Sequence, residues 1–270
     1  MTEIKSGQSI ELLKELHILT RDGQMNQDSR RKLKQVYHLC QFIEPLLKES
    51  GPDLGLVDHG AGKSYLGFIL FDLFLKNGEG NSHIYGIETR EELIKKSQEL
   101  ARKLSFSRMS FLNLTVEESI HSDLLPKSID IVTALHACNT ATDDAIDFAL
   151  KKKVKHLVLV PCCQAEMASV LRKNKARELG KSALTEIWRH PLHTREFGAH
   201  LTNVLRCLRL EAHGYHVTVT ELVGWEHSMK NELIIASFKD LPRKKSTERI
   251  KNILNELGIE ELEERFSIYS

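Results

Sequence analysis

A short apolar run that ends in an acid and breaks into glycines constrains the architecture of this chain more than any other stretch. Leu54-Gly55-Leu56-Val57 leads into Asp58 and then Gly60-Ala61-Gly62, and an amphipathic stretch from Tyr65 to Lys76 follows at once. Strand, glycine turn and helix in that order open a nucleotide-binding α/β sheet. Glycine suits such a turn because the backbone must bend sharply and leave bare amides facing a ligand.

Spacing discriminates among the ligands that use a turn of this kind. A phosphate loop needs glycine five residues before Gly62-Lys63-Ser64, and Val57 stands there instead. A dinucleotide fingerprint wants a third glycine where the chain has Tyr65, and Asp58 at the strand end repels a pyrophosphate. S-adenosylmethionine (SAM) has no phosphate and carries an ammonium group that an acidic turn suits. Asp58-x-Gly60-x-Gly62 therefore fits SAM best, with a nicotinamide enzyme and an ordinary strand-turn-helix as the alternatives. A second acid supports the ligand reading. His83-Ile84-Tyr85-Gly86-Ile87 is strand-like and ends in Glu88, where a carboxylate accepts both ribose hydroxyls of an adenosine. A solvated acid opening the next helix is the competing account.

Length and composition set wider bounds. At 270 residues the chain holds one large α/β domain with appendages. No apolar run approaches the roughly eighteen residues of a membrane span, and the first residues lack a signal-peptide layout, so a cytoplasmic address is expected. The five cysteines, Cys40, Cys138, Cys162, Cys163 and Cys207, are odd in number and irregularly spaced, and read as thiols in a reducing compartment. A net charge of +1 hides a polarity. Residues 53–147 carry 9 Lys+Arg against 15 Asp+Glu, net −6, whereas residues 151–195 carry 11 against 3, net +8. The basic part points to a polyanion, RNA in the first instance, or to a solvated helical face.

Strand and helix patterns alternate from residue 51 onward. Strands are expected near 54–58, 83–87, 109–116, 130–138 and 156–161, with helices between them, which predicts a parallel sheet with right-handed crossovers. Residues 215–223 and 232–239 read as an antiparallel pair at its end. The fold class is therefore α/β, a Rossmann-like seven-stranded sheet of five parallel strands plus a C-terminal hairpin. Residues 1–50 form a helical N-terminal extension set apart from the sheet, 51–240 the ligand-binding domain with a helical substrate-side insertion at 164–213, and 241–270 a C-terminal helix and loose tail.

Four segments together carry a family resemblance: VDHGAGKSYLG (57–67), LHACNTATDDAI (135–146), VPCCQAE (160–166) and KNELIIASF (230–238). With them the region from Lys32 to Lys239 resembles a branch of class I SAM-dependent methyltransferases. That branch joins methyltransferase-like proteins to the eukaryotic tRNA 2′-O-methyltransferases, which share the histidine-cysteine-ATD and double-cysteine segments. The resemblance implies SAM as methyl donor, Asp58, Gly60, Gly62 and Glu88 as cofactor contacts, and Thr115-Val116-Glu117 bordering the adenine. The chain departs from the tRNA enzymes in lacking their N-terminal zinc-finger cysteines and in having Asn139 where they commonly carry glycine.

The acceptor chemistry is expected beyond the carboxyl ends of the fourth and fifth strands. His136, Cys138, Cys162 and Cys163 fall there. Methyl transfer to a hydroxyl needs an aligned nucleophile and a base, and His136 or Asp143 is the candidate base, with Cys162 and Cys163 lining the cleft. Small buried thiols filling the sheet edge are the alternative. The spacing of His136 and the cysteines matches no zinc-knuckle signature, so no metal is expected. Lys34 and Tyr37 are candidates to close over the SAM carboxylate, and His193-Thr194-Arg195, after the break at Pro191, reads as a substrate-facing loop. Rival functions are a methyltransferase for a small metabolite or a protein side chain, and a SAM-binding module without turnover.

Overall fold

Seven strands make one mixed sheet: β1 (Gly55–His59), β2 (His83–Ile87), β3 (Met109–Leu112), β4 (Ile131–Leu135), β5 (His156–Val160), β6 (Tyr215–Glu221) and β7 (Glu232–Phe238). Their order is β3-β2-β1-β4-β5-β7-β6. The first five run parallel, and β7 is antiparallel to both β5 and β6. The computed structural model describes residues 4–135, 140–161, 166–174, 186–187, 189–222, 232–240 and 244–266. Strand order reverses between β1 and β4, and such a switch point opens a crevice beyond the carboxyl ends of those two strands.

The strands alternate their side chains between two helical layers, as the pleat requires. Leu56, Ile84 and Ile131 face a core shared with Leu33, Leu39 and Ile43 of α2 (Gln27–Ser50) and with Leu66 and Phe68 of α3 (Tyr65–Leu70). Val57, Val132 and Leu157 face the other way, against Ile146 and Phe148 of α6 (Ala141–Lys152) and Leu210 of α8 (Pro191–Ala212). Each fully buried aliphatic side chain contributes about 1.5–3 kcal/mol. Because α2 supplies a whole row of them, the N-terminal segment is one of the sheet's covering layers, not an extension set apart from it.

The segment expected to be a substrate-side insertion also covers the sheet. The last turns of α8 pack beside α6 before the chain enters β6. Its earlier turns join a third core, in which Leu171 of α7 (Glu166–Asn174), Leu205 and Leu208 of α8, Leu254 of α9 (Lys244–Glu256) and Phe266 of α10 (Glu263–Phe266) are buried together. The tail expected to be loose is thus anchored as far as Phe266, which is fully buried. Pro191 begins α8 and does not break it, since proline at the first helical position gives up only an amide that has no helical partner anyway. His193, Thr194 and Arg195 accordingly lie on a helix and not in a loop, with the Thr194 hydroxyl donating to the His190 carbonyl at 3.2 Å.

Candidate functional site

The glycine turn sits at the carboxyl end of β1 and opens onto the switch point. Gly60 and Gly62 both have left-handed backbone (φ +62° and +57°), which other residues adopt only with strain. A side chain at Gly60 would meet nothing within 4 Å, so that face of the turn is bare. The Ala61 amide donates to the carbonyl of Ile87 at 3.0 Å and ties the turn to the end of β2.

Glu88 follows β2 and reaches back under this turn. Its Oε2 accepts the Gly62 amide at 3.0 Å and Arg90 Nη2 at 3.0 Å, while Oε1 accepts the Arg90 amide and Nε, both at 3.1 Å, and the Thr89 hydroxyl at 3.3 Å. Burial pushes this carboxyl up, but the hydrogen bonds and charge of Arg90, with the Gly62 amide, outweigh it and hold the group below the usual carboxylate range. Asn113, just past β3, donates to the carbonyls of Glu88 and Thr89 at 3.0 and 2.9 Å and fixes the backbone that carries the acid.

Asp58 and His59 close β1 on opposite faces. Asp58 is 3% exposed and sits opposite Thr133 of β4, whose hydroxyl donates to its Oδ1 at 2.6 Å. Burial lifts its pKa to about 7, with the Thr133 hydrogen bond only partly offsetting it. His59 is 2% exposed and packs edge-on against Phe148 at 4.6 Å between ring centroids. Among the described residues neither ring nitrogen has a hydrogen-bond partner, and burial pulls the imidazole down to about 3. Three residues here, His59, Thr133 and Asn113, escaped the sequence reading. Only His59 had a local signal, its place inside the glycine motif.

The remaining candidates are spread more widely. Thr115 caps α5 (Val116–His121) in a reciprocal box with Glu118, Val116 is half-buried and Glu117 is exposed, all one turn beyond β3. Lys34 is exposed on α2. The Tyr37 hydroxyl donates to Gln8 and accepts the Lys5 amide at 3.4 Å. His136, Cys138, Cys162 and Cys163 lie outside the described residues. Cys40 and Cys207 are packed thiols pushed up to about 12 by burial. Among the described residues, no group of three or more His, Cys, Asp or Glu is placed to hold a metal ion. None of their helices is long and apolar enough to cross a membrane.

Asp143, the other candidate base, is built into the frame. Arg206 Nε and Nη2 donate to its two oxygens at 2.7 and 2.6 Å, and Arg265 of α10 donates to Oδ2 and to Glu166. Burial works to raise its pKa, but Arg206 and then Arg265 overcome that and keep it below the usual range. An ionised carboxylate engaged on both oxygens is a poor proton acceptor, which corrects the expectation of a base at this position.

The basic stretch is divided by the fold. Lys151 to Lys155 run from the last turn of α6 to the start of β5, at the amino ends of the strands. Exposed Arg189, His190, His193 and Arg195 surround the start of α8. Asn203, further along that helix, donates to Glu232 at the start of antiparallel β7, which puts the first turns of α8 toward the carboxyl ends of the parallel strands.

The bare turn, the acid beneath it and the buried acid on β1 make a cradle suited to a nucleoside with a cationic tail, and known proteins agree with that chemistry at the level of family. The profile of the methyltransferase domain family matches residues 31–170. Among curated proteins, a glutathione S-transferase C-terminal domain-containing protein of Bos taurus is 23% identical over 232 residues, covering 80% of this chain and 34% of that protein. Its Xenopus laevis counterpart is 22% identical over 234 residues, covering 80% and 36%. The chain spans about a third of the length of these relatives. Among solved structures, magnesium protoporphyrin IX methyltransferase from Synechocystis PCC 6803 with bound SAH superposes with a TM-score of 0.50 at 15% identity, over 85% of this chain and 95% of that one. An SAH-bound methyltransferase of Podospora anserina gives 0.50 at 12% identity, over 88% and 89%. At such identities the structural likeness is one of fold. The match to the family profile extends over more than half of the residues, and the chain belongs to the methyltransferase domain family.

Proposed function

We propose that the protein is a SAM-dependent methyltransferase whose acceptor is RNA, tRNA or rRNA. The observation that carries the cofactor is Glu88, a carboxylate seated against the Gly62 amide beneath a bare glycine turn. Glu88 receives the ribose hydroxyls, the turn from Gly60 to Gly62 lies along the nucleoside, and Asp58 supplies negative charge behind the amino-acid end. Thr115, Val116 and Glu117 border the adenine, and Lys34 is the cation assigned to the cofactor carboxylate. Bound there, SAM supplies an electrophilic methyl group.

Support for RNA comes from the resemblance to tRNA 2′-O-methyltransferases and from the cations around the start of α8. Arg189 and Arg195 there suit the phosphates of a strand lying toward the carboxyl ends of β4 and β5. The base is assigned to His136, since Asp143 is held ionised by two arginines. Cys162 and Cys163 are assigned to the wall of the acceptor cleft.

Two measurements test this. Transfer of label from SAM onto fractionated tRNA, rRNA, protein and small-molecule extract should give RNase-sensitive product; label on protein or small molecules alone would move the assignment to the rival acceptors. SAH should bind and raise the melting temperature. A charge-assisted hydrogen bond of roughly 1.5–3 kcal/mol means that Glu88→Ala weakens SAH by about tenfold or more. Absence of a thermal shift with SAM and SAH would overturn the cofactor.

A further inference from the structure

Arg90 stands over the carboxylate that the cofactor needs. A carboxylate offers about four lone-pair sites, and four donors within 3.1 Å already fill those of Glu88, the Gly62 amide and the amide, Nε and Nη2 of Arg90, with the rotatable Thr89 hydroxyl further off at 3.3 Å. No acceptor capacity is left for a ribose. The arginine's two side-chain donors are placed one on each oxygen, Nε at 3.1 Å from Oε1 and Nη2 at 3.0 Å from Oε2. Two vicinal hydroxyls gripping a carboxylate make the same pattern. The guanidinium also lies along the turn, with Nη2 only 3.9 Å from where a side chain on Gly62 would begin.

We propose that Arg90 is an internal stand-in for the ribose diol: its guanidinium fork occupies both oxygens of Glu88, and a ribonucleoside binds by displacing it. This rests on the reading of Glu88 as the ribose acceptor. The exchange is feasible because the two partners differ in mobility. The Glu88 side chain is 6% exposed and held by main-chain donors that stay in place, whereas that of Arg90 is 60% exposed and free to swing outward. Glu92, on the first turn of α4 (Glu91–Lys103), already attracts the guanidinium and offers a partner once Glu88 is taken. Arg90 therefore sets the cofactor affinity from the opposing side: it lowers affinity by competing, and it keeps the buried carboxylate satisfied until a diol arrives.

Titration calorimetry with SAH and with adenosine, which carries the diol but no charge, tests the exchange. Removing a half-exposed bidentate competitor in Arg90→Ala should tighten both ligands by about threefold, with Arg90→Lys, a charge without the fork, falling in between. Raising salt from low to high should tighten adenosine on the wild type, because screening weakens the competing pair, and leave Arg90→Ala unchanged. Unchanged or weaker binding in Arg90→Ala would overturn the proposal while leaving the cofactor assignment intact. Failure of SAH to bind either protein would overturn both. Arg90 is at the surface, and circular dichroism of each variant confirms that any change is not one of folding.

Discussion

Glu88 and Asp143 are both buried carboxylates gripped by an arginine fork, yet their arginines stand in opposite surroundings. The side chain of Arg90 is 60% exposed and two residues from its acid, at the mouth of the crevice. The side chain of Arg206 is 0% exposed and comes from another helix, where it also donates to Asn203, which in turn donates to Glu232 at the head of β7. One fork is hydrogen-bonded to its acid at the surface, and the other is buried and tied into a chain of partners. The same Nε/Nη2 fork thus serves two purposes, and solvent exposure of the cation separates them. A pair that one partner can leave at small cost is suited to a ligand site, whereas a buried pair fixes α6 against α8 and α10.

The largest expected difference follows from that contrast. Removing one partner of a buried ion pair costs up to about 3–5 kcal/mol, and without Arg206 the buried Asp143 loses two of its charged donors and keeps, among the described residues, only Arg265. Arg206→Ala should therefore unfold at markedly lower urea, while a joint Arg206→Met/Asp143→Leu replacement recovers much of the loss because no charge is stranded. Equal stability of the single and joint variants would show that the network is not what joins these helices.

How far each pair was legible in the sequence follows the same division. The acids of the crevice are readable because the chemistry is local: Asp58 and Glu88 each close an apolar run, and Gly60 and Gly62 announce the turn. The five parallel strands and the hairpin are readable from alternation and patterning. Arg90 was visible only as a charge opening a helix, since nothing in E-T-R states that its side chain folds back. Arg206 and Arg209 lie in a helix rich in charge, and only packing reveals that both are buried, with Arg209 paired to Asp147. Thr133 is 75 residues from Asp58 and becomes its partner only through the register of β1 and β4. Asp143 resembles a site residue in the sequence because it is the acid of the ATD segment in the first turn of α6, and only the structure shows Arg206 and Arg265 on it.

Asp58 sharpens the comparison, because it is a third buried carboxylate and has a hydroxyl, not an arginine, as its partner. Its pKa accordingly rises from 3.8 to about 7, while that of neighbouring His59 falls from 6.5 to about 3. Between about pH 4 and 6.5 the folded chain holds a proton on Asp58 that the unfolded chain has released, so this group loses stability as pH rises. Over the same window the unfolded chain protonates His59 and the folded chain does not, so that group loses stability as pH falls. The two slopes oppose each other at roughly 1 kcal/mol per pH unit each. Asp58→Asn should make stability climb with pH relative to the wild type across this window, and His59→Gln should make it fall. Urea midpoints at pH 4.5, 5.5 and 6.5 for the three proteins check the signs, and parallel curves would show that burial does not govern this strand end.

The smallest expected change returns to Arg90. Its ion pair with Glu88 faces solvent on the cation's side, and half-exposed pairs of that sort contribute about 0.2–1 kcal/mol. Once the fork is removed, Glu88 keeps the Gly62 amide, the residue-90 amide and the Thr89 hydroxyl at the edge of solvent, whereas Asp143 without Arg206 keeps, among the described residues, only Arg265 in a buried site. Arg90→Ala should therefore shift the unfolding free energy by less than about 1 kcal/mol, and less again at high salt, where the wild-type pair is already screened. Denaturant unfolding at low and high salt, set beside Arg206→Ala under the same conditions, measures the contrast directly. A loss in Arg90→Ala as large as that in Arg206→Ala would make the surface fork a structural clamp, and the difference in exposure between the two arginines would then carry no functional meaning.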